Sequence, residues 1–566
     1  MDNILFEKSL EESKSEFTPF QRRDVVKMKD MNTAGNYSSN TSSFETVTLS
    51  NGGRWCDYTE AYITLPVVVA ISGLDVSGNL LNWTGADLKN TDHLLALKNS
   101  HLNLVNSCQI EYGNQKTVQA TDHINDYLIF KQHTEMSEQD QKLHGPTIGY
   151  NKDTAKSWYY HDVNGISNNH CAPHALSSTR LTESNEGFFN RCKNTHSLDD
   201  NLRKVHSIFG NANASNVKQA NRSYIVNATT HKAFYYNVIL RLKDLPLFKS
   251  FPALLKGGNF RINLTLNQCE FQFTTGATLG NMSFMQNTFI GKMTNPVMVA
   301  SDSLPLMAVD YANRTSGTIG VESGATLLPA NTTFTVSVNI ARPQYATHQN
   351  LNVAFHQEQN CELHVPVYDL KPAFESQYLA QDQKRIIYNE VILTPLYNKT
   401  ANSTFNDLIT NGMKRLRRLI IVPTIAQSGN GTGMINPRLS CFDSSPSTCS
   451  PYILENFQVQ IANHNVYANA INYSYDMFLQ EMGGKYGLES SIFPGVSSSM
   501  ISLKDYVEIY GYIVVDLKRK HTEDDDVPLS IQISGKLKSE KNMDFYCFIE
   551  KEESFTISLA TGQRLD

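Results

Sequence analysis

The stretch ILENFQVQIANHNVYANAINYSY, residues 453–475, reads as a strand, a tight polar turn and a second strand. Phe457, Val459 and Ile461 alternate with Gln458, Gln460 and Ala462, the period-2 pattern of a strand with one buried face. Asn463-His464-Asn465 supplies residue types that tolerate turn geometry. LVNSCQIEYGNQKTV, residues 104–118, repeats the design far upstream, with Gly113-Asn114-Gln115 as its turn. Two such hairpins in one chain point to two copies of one β-domain.

At 566 residues the chain exceeds the size at which a single core keeps growing, so two or more domains are expected. Its 49 basic and 55 acidic residues, net charge −6, argue against a dedicated nucleic-acid binder. Abundant Gly, Asn, Ser and Thr and few long helical patterns favour an all-β, loop-rich protein. Nine cysteines follow no framework, and several, such as Cys269 in NQCEF, sit inside strand patterns where a free thiol packs as a small apolar residue. That usage suits folding in a reducing cytoplasm. The acidic N-terminus lacks a signal peptide's apolar core, so no secretion is expected. No run approaches the roughly 20 apolar residues of a membrane span.

Residues 1–43 read as an N-terminal arm, basic around Arg22-Arg23 and Lys27, then small and polar. A first β-domain is expected over 44–300. It opens with Phe44, Val47 and Leu49, then the strand YTEAYITLPVVVAI, in which Pro66 predicts an edge position or a bulge. After the first hairpin, Asp122–His133 patterns as a helix capped by Thr121 or Asp122, with Ile124, Tyr127 and Leu128 on one face. Residues 145–220 form a long polar excursion. AFYYNVILRL is a strand, Leu247–Leu255 a short helix, and FRINLTL a strand facing inward with Phe260, Ile262, Leu264 and Leu266. A phase slip at Gln268 predicts a bulge.

The second β-domain is expected over 301–566, beginning with Phe334–Ile340, Cys361–Tyr368 and Ile386–Leu393. Asn402 or Ser403 is read as the start of an amphipathic helix carrying Phe405, Leu408, Ile409 and Leu416 inward. Strands follow at Leu419–Val422, Tyr506–Leu517, Leu529–Leu537, Phe545–Ile549 and Phe555–Leu559. About eight strands per half is what a jelly roll, two interleaved Greek keys, requires.

ENFQVQIANHNVY, YIVVDLKRK, PLSIQISGKL and FTISLATGQ, in that order, resemble the second barrel of double jelly-roll major capsid proteins of Polinton-like viruses, virophages and related DNA viruses. DYTEAYITLPVVV, NSCQIEYGNQKTV, HGPTIGYNKDTA, NEGFFNRC and LPLFKSFPALLKGGNFRINLTLN resemble that family's first barrel. The resemblance spans roughly residues 40–566. It implies a structural protein rather than an enzyme, with two consecutive eight-stranded jelly rolls, short helices and long inter-strand loops. It further implies a pseudo-hexagonal homotrimer, a hexon-like capsomer assembling into an icosahedral shell. Trimer interfaces of that kind bury more than ~2,000 Å². By the same likeness, excursions 145–220 and 425–450 are exposed outer loops, the partners are neighbouring trimers, penton and minor capsid proteins, and the inner face meets membrane or DNA. The location would be the virion.

Chemistry-bearing candidates are few. Cys171-x₂-His174 and Cys192-x₃-His196, with His170, have zinc-like spacing but lack a finger's strand and helix, so unrelated loop residues are the default reading. Gly276–Gly280 lacks the context of a phosphate cradle, and Asp524-Asp525-Asp526 reads as a solvated turn. Lys414, Arg415, Arg417 and Arg418 either face acidic material or complement a helix end, and the structural role is favoured. No catalytic residue, cofactor site or metal site is assigned. The competing reading is a glycan-binding or glycan-cleaving β-sandwich, disfavoured because only Trp55, Trp83 and Trp158 are present and no carboxylate pair stands out.

Overall fold

A computed structural model describes residues 19–31, 37, 40–50, 53–80, 94–113, 116–153, 159–160, 171–172, 187, 191, 224–227, 232–275, 282–286, 294–300, 333–340, 360–426, 438–439, 452–483, 501–519 and 527–565. The principal strands of the first half are β1 (Phe20–Lys29), β2 (Thr41–Glu45), β3 (Tyr62–Leu74), β4 (Val105–Tyr112), β5 (Thr117–Thr121), β6 (Lys232–Arg241), β7 (Phe260–Leu266), β8 (Cys269–Thr275), β9 (Thr333–Ile340) and β10 (Glu362–Leu370). Helices α1 (Ile124–Glu135) and α2 (Glu138–Ile148) follow β5. The second half carries β11 (Gln383–Lys399), β12 (Thr404–Met413), β13 (Leu416–Ile425), β14 (Tyr452–Ile461), β15 (His464–Asn465), α3 (Tyr475–Gly483), β16 (Ile513–Asp516), β17 (Leu529–Ser539) and β18 (Met543–Ser558).

Strand order settles the topology. In the second half one sheet runs β11-β18-β13-β16 and the other β12-β17-β14-β15. With those eight strands numbered along the chain, the orders are 1-8-3-6 and 2-7-4-5, the interleaved Greek keys of a jelly roll. The first half repeats them as β1-β10-β3-β6 and β2-β7-β4-β5. There β8 and β9 are inserted between the seventh and eighth strands, and β9 continues along β3 where β10 ends. The two hairpins that suggested duplication, β4–β5 and β14–β15, are strands four and five of their respective barrels.

Several sequence expectations change. β1 lies inside the expected arm and is hydrogen-bonded to β10 over its length. β9 and β10, expected to open the second barrel, pair with β3 instead. Among the described residues no strand up to Leu370 pairs with one from Gln383 onward. Pro66 is not at an edge: β3 pairs with β6 in unbroken register through Pro66↔Asn237. On its other flank β9 stops opposite Val67 and β10 begins opposite Thr64, so the proline falls between two partners. Val47–Ser50 is a helical turn, and the helix after Arg241 spans only Pro246–Lys249. The slip at Gln268 is a crossing between sheets, since β7 belongs to one and β8 to the other.

The expected amphipathic helix at 402 is strand β12. Asn398 and Asn402 have φ of 52° and 55°, which makes them turn residues between β11 and β12 rather than caps. Thr404, Phe405, Ile409 and Thr410 then suit a ladder with β17, and the pairing overrides the helical spacing. Leu503–Glu508 is helical, so the strand expected from Tyr506 begins only at Ile513, and Phe545–Ile549 and Phe555–Ser558 are parts of the single strand β18.

In the stretch at 453–475, Asn456 has φ of 50° and the register with β17 shifts between Glu455 and Gln458. This bulge switches the inward phase from Leu454 to Phe457, Val459 and Ile461, all buried. Gln458 is buried as well, against the alternation: its amide donates to the Tyr467 carbonyl at 2.9 Å and accepts from the Tyr467 N–H at 3.1 Å. The turn is Ala462-Asn463, with φ of 47° and 67°, as a two-residue hairpin of the I′ type needs; His464 and Asn465 are already paired.

Candidate functional site

Helix α1 is wedged between the barrels, and ten of its twelve residues are buried. It starts at His123, whose φ is 49°, with no side-chain cap, so neither Thr121 nor Asp122 performs the role expected. A helix covered on all sides is held by tertiary packing rather than by an amphipathic stripe. Toward the first barrel, Asn125 donates to Asn103 at 2.9 Å. Toward the second, residues spaced three or four apart reach across. The Tyr127 hydroxyl donates to Glu550 of β18 at 2.8 Å, Lys131 pairs with the same carboxylate at 3.0 Å, and Phe130 meets Tyr512 edge-on at 5.1 Å. Burial alone pushes the Glu550 carboxyl up, but Lys131, Arg418 and the Tyr127 hydroxyl outweigh it and hold the group below its ordinary range.

Among the described residues, each long excursion contributes an arginine to this junction. Arg438 is ion-paired with Asp126, its guanidinium stacks 3.9 Å from the Tyr546 ring centroid, and its carbonyl accepts from Asn295 N–H at 3.0 Å. Arg191 pairs with Asp153 at 2.7 Å and donates to the carbonyls of Leu97, at 2.7 Å, and Asn151. Both arginines are buried, so at these points the excursions expected to lie outside are anchored in the interior. The sequence offered one clue: Arg438 is the sole Lys or Arg between Arg418 and Lys485.

A second seam joins β5 to β11 and β4 to the C-terminal segment. Thr121 donates to the Val391 carbonyl at 2.6 Å and Tyr388 to the Val118 carbonyl at 2.8 Å. Tyr112, which lies against Phe555 with ring centroids 5.5 Å apart, donates to the Gly562 carbonyl at 2.8 Å. Gly562 has φ of 62°, and a Cβ there would meet the Lys256 carbonyl oxygen at 2.5 Å. Gly562→Ala is therefore expected to cost about 1–3 kcal/mol. Equilibrium denaturation checks this, and a loss below ~0.5 kcal/mol would mean the C-terminal turn is free to move.

Among the described residues, the imidazoles of the junction, His101, His123 and His133, pair with no carboxylate. Burial pushes His101 down to about 3, and burial together with Arg438 pushes His123 down to about 3. Burial, then Lys152 and Arg191, keep His133 well below its ordinary value. Asp126 is pushed up to about 6 by burial, offset in part by Arg438 and Lys98. Cys56, Cys108, Cys269, Cys361 and Cys547 are free and buried, and burial raises each thiol.

Of the residues singled out by spacing, His170, His174, Cys192 and His196 lie outside the described residues, as do 276–280 and 524–526; Cys171 is described only as backbone paired with Tyr160. Among the described residues no His, Cys, Asp and Glu group is placed to hold a metal. The basic cluster forms the turn into β13: Arg415 has φ of 52°, Arg417 pairs with Glu552, and Arg418 stands opposite Asp516 and Glu550 in the ladder. These contacts give Arg417 and Arg418 a structural role, though not the expected one at a helix end, because β12 is a strand.

Two barrels with one strand order, joined by a buried helix, define a double jelly roll. No protein-family profile matches the sequence, and no curated protein matches it. Among solved structures, the chain is similar to one in the cryo-EM structure of the Sputnik virophage, with a TM-score of 0.52 at 11% identity, covering 97% of this chain and 88% of that one. It also matches the mavirus major capsid protein (TM-score 0.44, 11% identity, 96% and 89% covered) and the Faustovirus major capsid protein (0.41, 9%, 96% and 92%). The Sputnik likeness shows the shared fold over nearly the whole chain.

Proposed function

We propose that this chain is a major capsid protein that forms pseudo-hexagonal homotrimers and tiles an icosahedral shell. The observation that carries the reading is the pair of barrels of equal strand order, fixed to each other through α1, with the fold shared along 97% of the chain with a Sputnik virophage chain. A tile needs two barrels held at a constant angle, because three copies then present six similar corners and close by symmetry. On this reading the first barrel runs from β1 to β10 and the second from β11 to β18. Other trimers, penton and minor capsid proteins are its partners, its inner face meets membrane or DNA, and its place is the virion. The glycan reading has no observation in its favour: Trp55 is buried, and Trp83 and Trp158 lie outside the described residues. Size-exclusion chromatography with light scattering, followed by electron microscopy, tests the proposal. Trimers with pseudo-hexagonal outlines are expected; a monomer at all concentrations would overturn it.

A further inference from the structure

His133 stands at the centre of the junction. Its ring centroid is 4.3 Å from that of Tyr510 and 5.9 Å from that of Tyr150, and its Nδ1 lies 3.0 Å from the Tyr512 hydroxyl. The charged groups acting on it are Lys152 and Arg191. Their carboxylates, Asp505 at 2.8 Å and Asp153 at 2.7 Å, bind those cations. At the other end of α1, His123 Nδ1 lies 3.1 Å from the Arg438 guanidinium and the ring is 5.7 Å from Tyr546. The Asp126 carboxylate beside it is bound by Arg438 and also feels Lys98. Each imidazole therefore faces cations whose acids are already engaged.

We propose that the barrel–barrel junction is an acid-released clamp: proton uptake at His123 and His133 sets a further positive charge beside Arg438 and beside Lys152 and Arg191, and frees α1 from the contacts those two arginines make. Both imidazoles are neutral in the folded state and ordinary in the unfolded one. Their contribution is complete above about pH 6.5 and is lost as pH falls below it. His101, buried and lowered, adds in the same sense. Asp126, raised to about 6, opposes them, because the folded state takes up its proton more readily than the unfolded one. Glu550 and Glu135 are held below their ordinary values, so they add nothing until pH falls below about 4.5. Asp544, raised by burial with Arg438 beside it, opposes them in the same sense as Asp126, so three imidazoles stand against two carboxyls at the junction and net loosening is expected between about pH 6.5 and 5. The clamp belongs to the single chain, so it stands or falls separately from the capsid reading.

Hydrogen exchange of the full chain at about pH 7.5 and about pH 5, corrected for intrinsic rates, tests this. Protection in α1 and around Arg438 should fall about tenfold or more at the lower pH, the factor supplied by one pH unit of linkage. His123→Gln/His133→Gln should keep most of that protection. Equal wild-type protection at both pH values overturns the clamp, as does an undiminished acid loss in a variant that matches wild type at about pH 7.5. If the variant does not fold, a ¹³Cε1-histidine titration of the wild-type chain decides. Two imidazoles that protonate only as α1 opens support the clamp, and free titration near 6.5 with α1 still protected removes it.

Discussion

Val459→Asp is expected to destabilise the second barrel by roughly 3 kcal/mol or more. Val459 is fully buried and pairs with Ile533 of β17, which is fully buried too, so an aspartate there meets apolar neighbours. Its carboxylate would shed its water without gaining a partner, or take up a proton at a cost that grows with pH. Gln460, the next outward position on β14, is the control: Gln460→Asp leaves the charge in water, though it gives up the 2.9 Å bond to Asn465 and is expected to cost under ~1 kcal/mol. Thermal melts of the two variants beside the parent give the comparison. If Val459→Asp melts like the parent, the inward face assigned to β14 is wrong.

Arg438→Ala is expected to cost about 3–5 kcal/mol, because it leaves Asp126 buried without its cation. It also removes the stack on Tyr546 and frees the only described point of excursion 425–450 inside the junction. Arg438→Lys keeps the charge but loses the planar stack and the fork geometry, so an intermediate loss is expected. Asp126→Asn added to Arg438→Ala removes the stranded charge and should recover part of the stability. Chemical denaturation of the parent, Arg438→Ala, Asp126→Asn and the double variant forms a double-mutant cycle. Additive losses would show that the two side chains do not act on each other, which contradicts the pairing drawn between them.

Much of the barrel pattern was legible because a strand with one wet face writes its register into alternation. FRINLTL carries that signal, and its inward residues Phe260, Ile262, Leu264 and Leu266 are those expected; LSIQISGKL lies in a strand as expected. The misreadings share one cause. TFNDLITNGM fits a helical stripe as well as a ladder, and only β17 lying alongside decides between them. β9 and β10 looked like an opening to the second barrel because chain order was the only guide. Their partner β3 lies some 270 to 300 residues upstream, as Val338↔Val69 and Glu362↔Thr64 show, and no local pattern encodes such a pairing.

The junction was hardest to read. α1 was visible as a helix, yet its burial on every side depends on a second barrel closing over it. Arg191 and Arg438 resemble any loop arginine until Asp153 and Asp126 are seen beside them. The sequence by itself determined an all-β chain, two hairpins of one design and the inward residues of the plainest strands, because alternation is a local consequence of burying one face. Only the tertiary structure decided which strands share a sheet, where β1, β9 and β10 belong, and which charges are buried between the barrels, because those depend on partners hundreds of residues away.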